Sequence, residues 1–165
     1  SYELDGNNLK NLGDDALAEI RNKHIGFVFQ SFHLMPKLNA RDNVALPLLY
    51  ADVPLKERRE RAEEALKAVG LEERMDFLPN QLSGGQCQRV AIARAIAQAP
   101  PIILADEPTG NLDSNSSKEI IEILKELHKD GRTVILITHD NEIAEQAKRV
   151  IKIKDGKIER DYENV

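Results

Sequence analysis

The chain is poor in the features that mark secreted, membrane-spanning and nucleic-acid-binding proteins. A single cysteine, Cys87, occurs in its 165 residues, which excludes an internal disulfide framework and suits a reducing cytoplasm. No apolar run approaches the roughly eighteen residues that a spanning helix needs, and no signal-peptide pattern opens the sequence. The expectation is that any membrane involved is spanned by another polypeptide. Basic residues are not in excess: the net charge is −5 with acids and bases interspersed, which gives no support for nucleic-acid binding. One further absence is more specific. The lysine-bearing phosphate loop G-x-x-x-x-G-K-[ST] does not occur; the only Gly-Lys pair is Gly156-Lys157, and Ile151 stands where the first glycine should.

What is present describes one globular domain. Apolar residues make up 41% and charged residues 31%, a composition that buries a core rather than staying disordered. Short β-branched apolar runs, Ile25–Phe29, Ile102–Ala105, Thr133–Ile137 and Val150–Ile153, read as buried strands. Asp155-Gly156 joins the last of them to Lys157-Ile158-Glu159 as a hairpin. Helical patterns lie between. Ser116-x-x-Glu119 reads as a capping box ahead of Ile120, Ile123, Leu124 and Leu127, with Gly131 as the stop. A second helix is expected from Leu55 to Val69, ending at Gly70, with a solvated charged face carrying Glu57–Arg61 and Glu63–Lys67 pairs. Strands separated by helices imply a mainly parallel sheet. Residues 31–99 contain no convincing strand and read as a helical insertion.

Two segments carry chemistry. Leu82-Ser83-Gly84-Gly85-Gln86 precedes the Ala-rich helical stretch Val90–Ala99. Its adjacent glycines let backbone N–H groups approach an anion closely, at a helix N-terminus where the dipole favours phosphate. Ser-Gly-Gly alone would be a turn before a helix. The whole pentapeptide is far more specific, with a chance occurrence on the order of one in ten thousand or rarer. Asp106-Glu107 closes the run Ile102–Ala105. Parallel strands deliver catalytic groups from their carboxyl ends. An aspartate there suits Mg²⁺, directly or through water, and a neighbouring glutamate can take a proton from an attacking water. His139 and Gln30, each unremarkable alone, follow apolar strands at the same ligand-facing end, so several polar groups converge on one rim.

On these residues the sequence resembles the nucleotide-binding domain of ATP-binding-cassette (ABC) transporters. Leu82–Gln86 matches the signature motif, Ile102–Asp106 the Walker B strand and Glu107 the catalytic glutamate. Asn111-Leu112-Asp113 matches the D-loop, His139 the switch histidine and Gln30 the Q-loop. The resemblance runs from about Tyr2 to Asp161. The wording of Gly26–Gln30, Arg89–Ala95 and Leu104–Asp113 is similar to the subgroup serving macrolide export and lipoprotein release. Cys87 stands where a glutamine is common, a mild departure. The large one is that the family's β-subdomain, phosphate loop and following helix find no counterpart before Tyr2-Glu3-Leu4.

The resemblance implies an α/β, P-loop-NTPase-like core with a mainly parallel sheet, in which residues 1–165 form a partial ABC ATPase domain and residues 31–99 its helical subdomain. It implies ATP and Mg²⁺ as ligands, and Glu107 and His139 as catalytic groups. Ser83, Gly84, Gly85, Gln86, Gln30 and Asp113 would contact nucleotide, and Asp106 and Gln30 the metal. Partners would be a transmembrane permease subunit, touched by Gln30 and the following Phe32, Leu34 and Pro36, and a second nucleotide-binding domain facing head to tail, at the cytoplasmic face of a membrane. Without the phosphate loop, the strands matching Thr133–Thr138 and Val150–Ile153 should have unpaired edges, and the chain alone should be inactive. The alternative is a degenerate regulatory subunit that completes a partner's ATP site in trans. A DNA-repair or chromosome ATPase is disfavoured, because the interval from Gln30 to Leu82 is too short for the coiled coil those carry.

Overall fold

In the computed structural model, which describes residues 3, 4 and 7–164, the alternation of strands and helices builds an α/β fold. The short strands β1 (Glu3–Leu4) and β2 (Asn7–Asn8) pair antiparallel. Helix α1 (Asp14–His24) runs directly into β3 (Ile25–Phe29). Then come α2 (Ala40–Tyr50), α3 (Leu55–Ala68), α4 (Gly84–Ile96), β4 (Ile102–Asp106), α5 (Ser114–Lys129), β5 (Thr133–Ile137), α6 (Asn141–Ala144), β6 (Arg149–Lys154) and β7 (Lys157–Glu163). Tyr2, where the resemblance begins, lies outside the described residues. Among the described residues, no helix is long and apolar enough to cross a membrane.

Strands β3, β4 and β5 form a parallel sheet in the order β3-β4-β5. Its rows run Phe27–Leu104–Ile135 and Phe29–Asp106–Ile137, so the three carboxyl ends finish level. Successive side chains of a strand point to opposite faces. One face, with Val28, Ile103 and Ala105, packs into the core against α4 and α5. The other holds Phe27 stacked on Phe29, with ring centroids 5.9 Å apart, and leaves Ile135 46% and Ile137 56% exposed. The expectation of fully buried strands is thus corrected: among the described residues the second face is half-buried along β3 and β4 and exposed along β5. Parallel sheets are ordinarily covered on both.

Strands β6 and β7 make a separate antiparallel hairpin, turning at Asp155 and Gly156, both at positive φ as a type I′ turn requires. Among the described residues β5 has no strand beside its outer edge, and Ile151, Ile153 and Ile158 of the hairpin are exposed.

Three local expectations are corrected. Helix α5 starts two residues before Ser116 and is capped by Asp113, whose carboxylate accepts from the Asn115 and Ser116 amides at 3.0 and 3.1 Å. An ionised carboxylate at the N-cap outcompetes a hydroxyl one turn later. Helix α4 starts at Gly84 rather than near Val90, because Ser83 and Gln86 form a reciprocal capping box. On α3 the Glu57–Arg61 pair forms, but Glu63 turns to Arg41 at 3.3 Å and Lys67 to Glu72 at 3.6 Å. Packing of α2 on α3 brings the Arg41 guanidinium to Glu63.

Between residues 31 and 99 there is no strand. Asn43, fully buried in α2, organises the entry to this stretch: its amide donates to the carbonyls of Met35, Leu38 and Asn39 and its oxygen accepts from the Met35 amide.

Candidate active site

Four segments meet beyond the carboxyl ends of the parallel strands. The β4 ladder ends at Asp106, and the chain then turns at Glu107, which sits at φ 46°. A non-glycine residue held there carries strain of about 1–3 kcal/mol, a cost that recurs at functional sites. The turn is fixed because the Glu107 amide donates to the Ile137 carbonyl at 2.9 Å, extending the sheet by one bond past the strand ends. Its side chain therefore points at the segment following β5.

There the Glu107 carboxylate meets His139. Oε1 accepts the His139 backbone amide at 2.9 Å and lies 2.7 Å from its Nδ1, while Oε2 accepts from the Thr138 hydroxyl at 3.4 Å. The pair is asymmetric in solvent: the His139 side chain is 84% exposed and the Glu107 side chain 21%. The hydrogen bond to Glu107, then its charge, raise the His139 pKa above its ordinary value.

Gln30 follows β3 and stands beside the β4 end through the Phe29–Asp106 row. Its amide donates to the Asn111 side chain at 3.2 Å, and the Asn111 amide donates back to the Gln30 carbonyl at 3.3 Å. Gly110 is glycine for this contact: a Cβ there would lie 2.5 Å from the Gln30 Nε2. Asp106 is exposed at the strand end.

The helix α4 terminus is the fourth component. Its capping box satisfies the Ser83 and Gln86 amides, leaving those of Gly84 and Gly85 as the unspent donors of the first turn among the described residues. Gly85 has a second reason to be glycine. A Cβ on it would lie 2.7 Å from the Ser116 hydroxyl oxygen, whereas Gly84 faces nothing nearer than 3.4 Å. Ser116 in turn donates to the Asp113 carboxylate at 2.7 Å. Asp113 is thereby engaged in capping α5, and these hydrogen bonds lower its pKa.

Two polar residues of α4 have a role that the sequence did not assign. Gln88, fully buried, donates to the Phe29 carbonyl at 3.2 Å and the Pro108 carbonyl at 2.6 Å. Arg94 donates to the carbonyls of Phe32 and His33 at 2.8 and 2.6 Å, fixing two residues at φ 58° and 48°. The signal for Gln88 was available: it is a polar residue in line with Gly85, Ile92 and Ala95 on the buried face of the helix. Cys87 beside it sits against the Pro79 carbonyl at 3.5 Å, and burial raises its thiol pKa, which makes it a packing residue.

Oxygen donors at Asp106 and Gln30 fit a hard divalent cation that keeps waters and phosphate oxygens as its other ligands. No group of three or more His, Cys, Asp or Glu side chains among the described residues could hold a metal by itself.

This architecture, a strand-end acid paired with a histidine and a serine-glycine-glycine helix start, has counterparts of known family. A family model described as "ABC transporter" matches residues 1–110. An uncharacterized ABC transporter ATP-binding protein of Thermotoga maritima is 52% identical over 156 residues, 94% of this chain and 67% of that protein. The macrolide export ATP-binding/permease protein MacB 2 of Yersinia pestis bv. Antiqua is 55% identical over 147 residues, 89% of this chain and 22% of that protein. The dimeric post-hydrolysis structure of the ATP-binding cassette MJ0796 bound to ADP and Pi superposes with a TM-score of 0.85 at 48% identity, covering 98% of this chain and 72% of that one. The chain belongs to the ABC transporter family, and its fold is that of the family's ATP-binding cassette. It spans about two thirds of the length of the Thermotoga relative and under a quarter of MacB.

Proposed function

We propose that this chain is the part of an ABC transporter ATPase that supplies the catalytic acid, the switch histidine and the trans-acting signature, and that it hydrolyses ATP only when a phosphate loop from outside these residues is present. The observation that carries the reading is the Glu107–His139 pair, set at the strand-end rim with the open amides of Gly84 and Gly85 on the neighbouring helix.

Each residue then has a task. Glu107 accepts the proton of an attacking water, since a carboxylate has lone pairs beyond those taken by His139 and Thr138. His139 keeps Glu107 oriented through its backbone amide and offers its exposed ring to developing negative charge. Ser83, Gly84, Gly85 and Gln86 present the α4 N-terminus to the γ-phosphate held by a second, facing domain. Asp106 and Gln30 would hold Mg²⁺, whose chemistry is to neutralise charge on the phosphate oxygens; Gln30 meets Asn111 through its amide nitrogen, which leaves its side-chain oxygen for the metal. Asp113 acts from the D-loop through its cap on α5.

The open sheet face and the unpaired β5 edge support the missing-loop reading. A strand feeding a phosphate loop would pair with β5 and the helix after it would cover Phe27, Leu104 and Ile135. Residues 31–99 form the helical subdomain, and the Gln30–Pro36 segment meets a transmembrane permease at the cytoplasmic face of a membrane. The wording shared with MacB favours the macrolide-export and lipoprotein-release subgroup. A facing second copy is supported by the dimeric form of the MJ0796 cassette. The test is ATP hydrolysis by the chain alone and mixed with a full-length ABC ATPase whose own signature serine is replaced: inactivity of each alone and activity in the mixture are expected. Hydrolysis by the chain alone would refute the division of labour.

A further inference from the structure

Gln88 occupies a position that the roles above leave unassigned. It is fully buried on α4, two residues past the capping box, yet neither of its hydrogen bonds among the described residues goes to another side chain. Both protons of its amide go to main-chain carbonyls: Phe29, immediately before Gln30, and Pro108, immediately after Glu107. Its Oε1 is buried with no partner among the described residues. A core residue chosen for packing alone would not carry an unsatisfied acceptor.

The two carbonyls belong to tight turns: that of Phe29 starts one, and that of Pro108 lies inside the other. The Phe29 carbonyl also accepts the Phe32 amide at 3.3 Å, and the turn after Glu107 is closed by Gly110 donating to the Glu107 carbonyl at 3.1 Å and Leu112 to Thr109 at 3.0 Å. One side chain thus fixes the origin of the Gln30 loop and the exit of the Glu107 turn to the helix that begins at Ser83. The spacing is rigid, since Gln88 is one helical turn from Gly84 and Gly85.

We propose that Gln88 is a positioning residue that locks the α4 N-terminus in register with Gln30 and Glu107, so that displacement of the helix moves both loops together. The inference deepens the proposed hydrolytic function and rests on it for its catalytic consequence, but its structural content stands on the two hydrogen bonds. Methionine at this position would fill the same space without donating. Glutamate, when ionised, would turn an acceptor on each carbonyl.

The test compares backbone amide exchange of the intact protein with that of Gln88→Met and Gln88→Glu. Val90→Ala, which truncates a fully buried side chain of the same helix that carries no hydrogen-bonding group, is the control. The Phe32, Gly110 and Leu112 amides are expected to exchange about tenfold faster in both Gln88 variants than in the control, as loss of a pinning hydrogen bond allows. Acceleration no greater than in Val90→Ala, or spread evenly over α4 and α5, would overturn the proposal. In the mixed ATPase assay Gln88→Met should lower kcat about tenfold and leave KM within about twofold, the signature of lost alignment rather than lost binding. A KM rise with kcat unchanged would count against it. If the unsubstituted protein hydrolyses nothing in that assay, the hydrolytic reading falls while the exchange result still decides the positioning role.

Discussion

The Glu107 carboxylate holds His139 at two points, the backbone amide at 2.9 Å and ring Nδ1 at 2.7 Å, from a residue kept at φ 46° by its own bond to the Ile137 carbonyl. Two strand ends are thereby tied through one side chain, and the histidine's charge is tied to the acid that orients it.

The first consequence is a titration. His139 should protonate with a midpoint above its ordinary value of 6.5, because Glu107 stabilises the imidazolium. A raised folded pKa stabilises the fold fully below the unfolded value, and that contribution is lost as pH rises through the folded one. Following the ring proton of His139 by NMR in the parent chain and in Glu107→Gln checks this: the midpoint should fall toward the ordinary value in the variant. An unchanged midpoint would mean the pair is not formed in solution.

Asp113 should show the opposite pH behaviour. Its pKa is lowered by the Ser116 hydroxyl and amide, so its stabilisation is present above about pH 4 and fades as pH falls through the lowered value. Asp113→Ala should lower Tm at pH 7 and have a shrinking effect toward pH 3. Asp113→Asn, which keeps a capping oxygen, should lose less at pH 7. Thermal melts at the two pH values suffice.

Glycines should separate by what faces them. At Gly26 a Cβ would lie 2.4 Å from the Ala95 carbonyl, a backbone atom of α4. Gly26→Ala should therefore cost about 1–3 kcal/mol through overpacking. Gly84→Ala meets only the Leu112 side chain at 3.4 Å and should stay within about 0.5 kcal/mol. Urea midpoints at constant m-value report both.

The open sheet edge should make the isolated chain associate. Ile135, Ile137, Ile151 and Ile153 are 46%, 56%, 48% and 71% exposed, and unpaired apolar edges template further pairing. Ile137→Lys with Ile153→Lys should shift the population toward monomer in size-exclusion chromatography. A parent chain that is already a monomer with a sharp two-state melt would contradict this.

Much of this was legible in the residues. The strands at 25–29, 102–105 and 133–137 have boundaries set by β-branched runs ending in polar residues, and both Gly70 and Gly131 stop helices at positive φ. The strand-end rim followed from those boundaries alone. What sequence pattern missed depends on three-dimensional competition. Asp113 took the cap from Ser116 because its carboxylate reaches two amides, and the capping box at Ser83 pulled the start of α4 forward to Gly84. Gln88 and Arg94 bond to backbone carbonyls about 60 residues away in the chain, Phe29 for Gln88 and Phe32 and His33 for Arg94, and no local window contains both partners. The direct Glu107–His139 and Gln30–Asn111 contacts were likewise invisible, although Glu107, His139 and Gln30 had been placed on the rim and Asn111 in the D-loop.

The most direct test of the account mixes this chain with a full-length ABC ATPase whose own signature serine is replaced, and measures phosphate release from ATP. The account predicts no release from either component alone, release from the mixture, its loss when the chain carries Ser83→Ala, and no effect of Glu107→Gln in the chain, whose own phosphate loop is not in the mixture. Hydrolysis by the chain alone, or release from the mixture that survives Ser83→Ala, would contradict it.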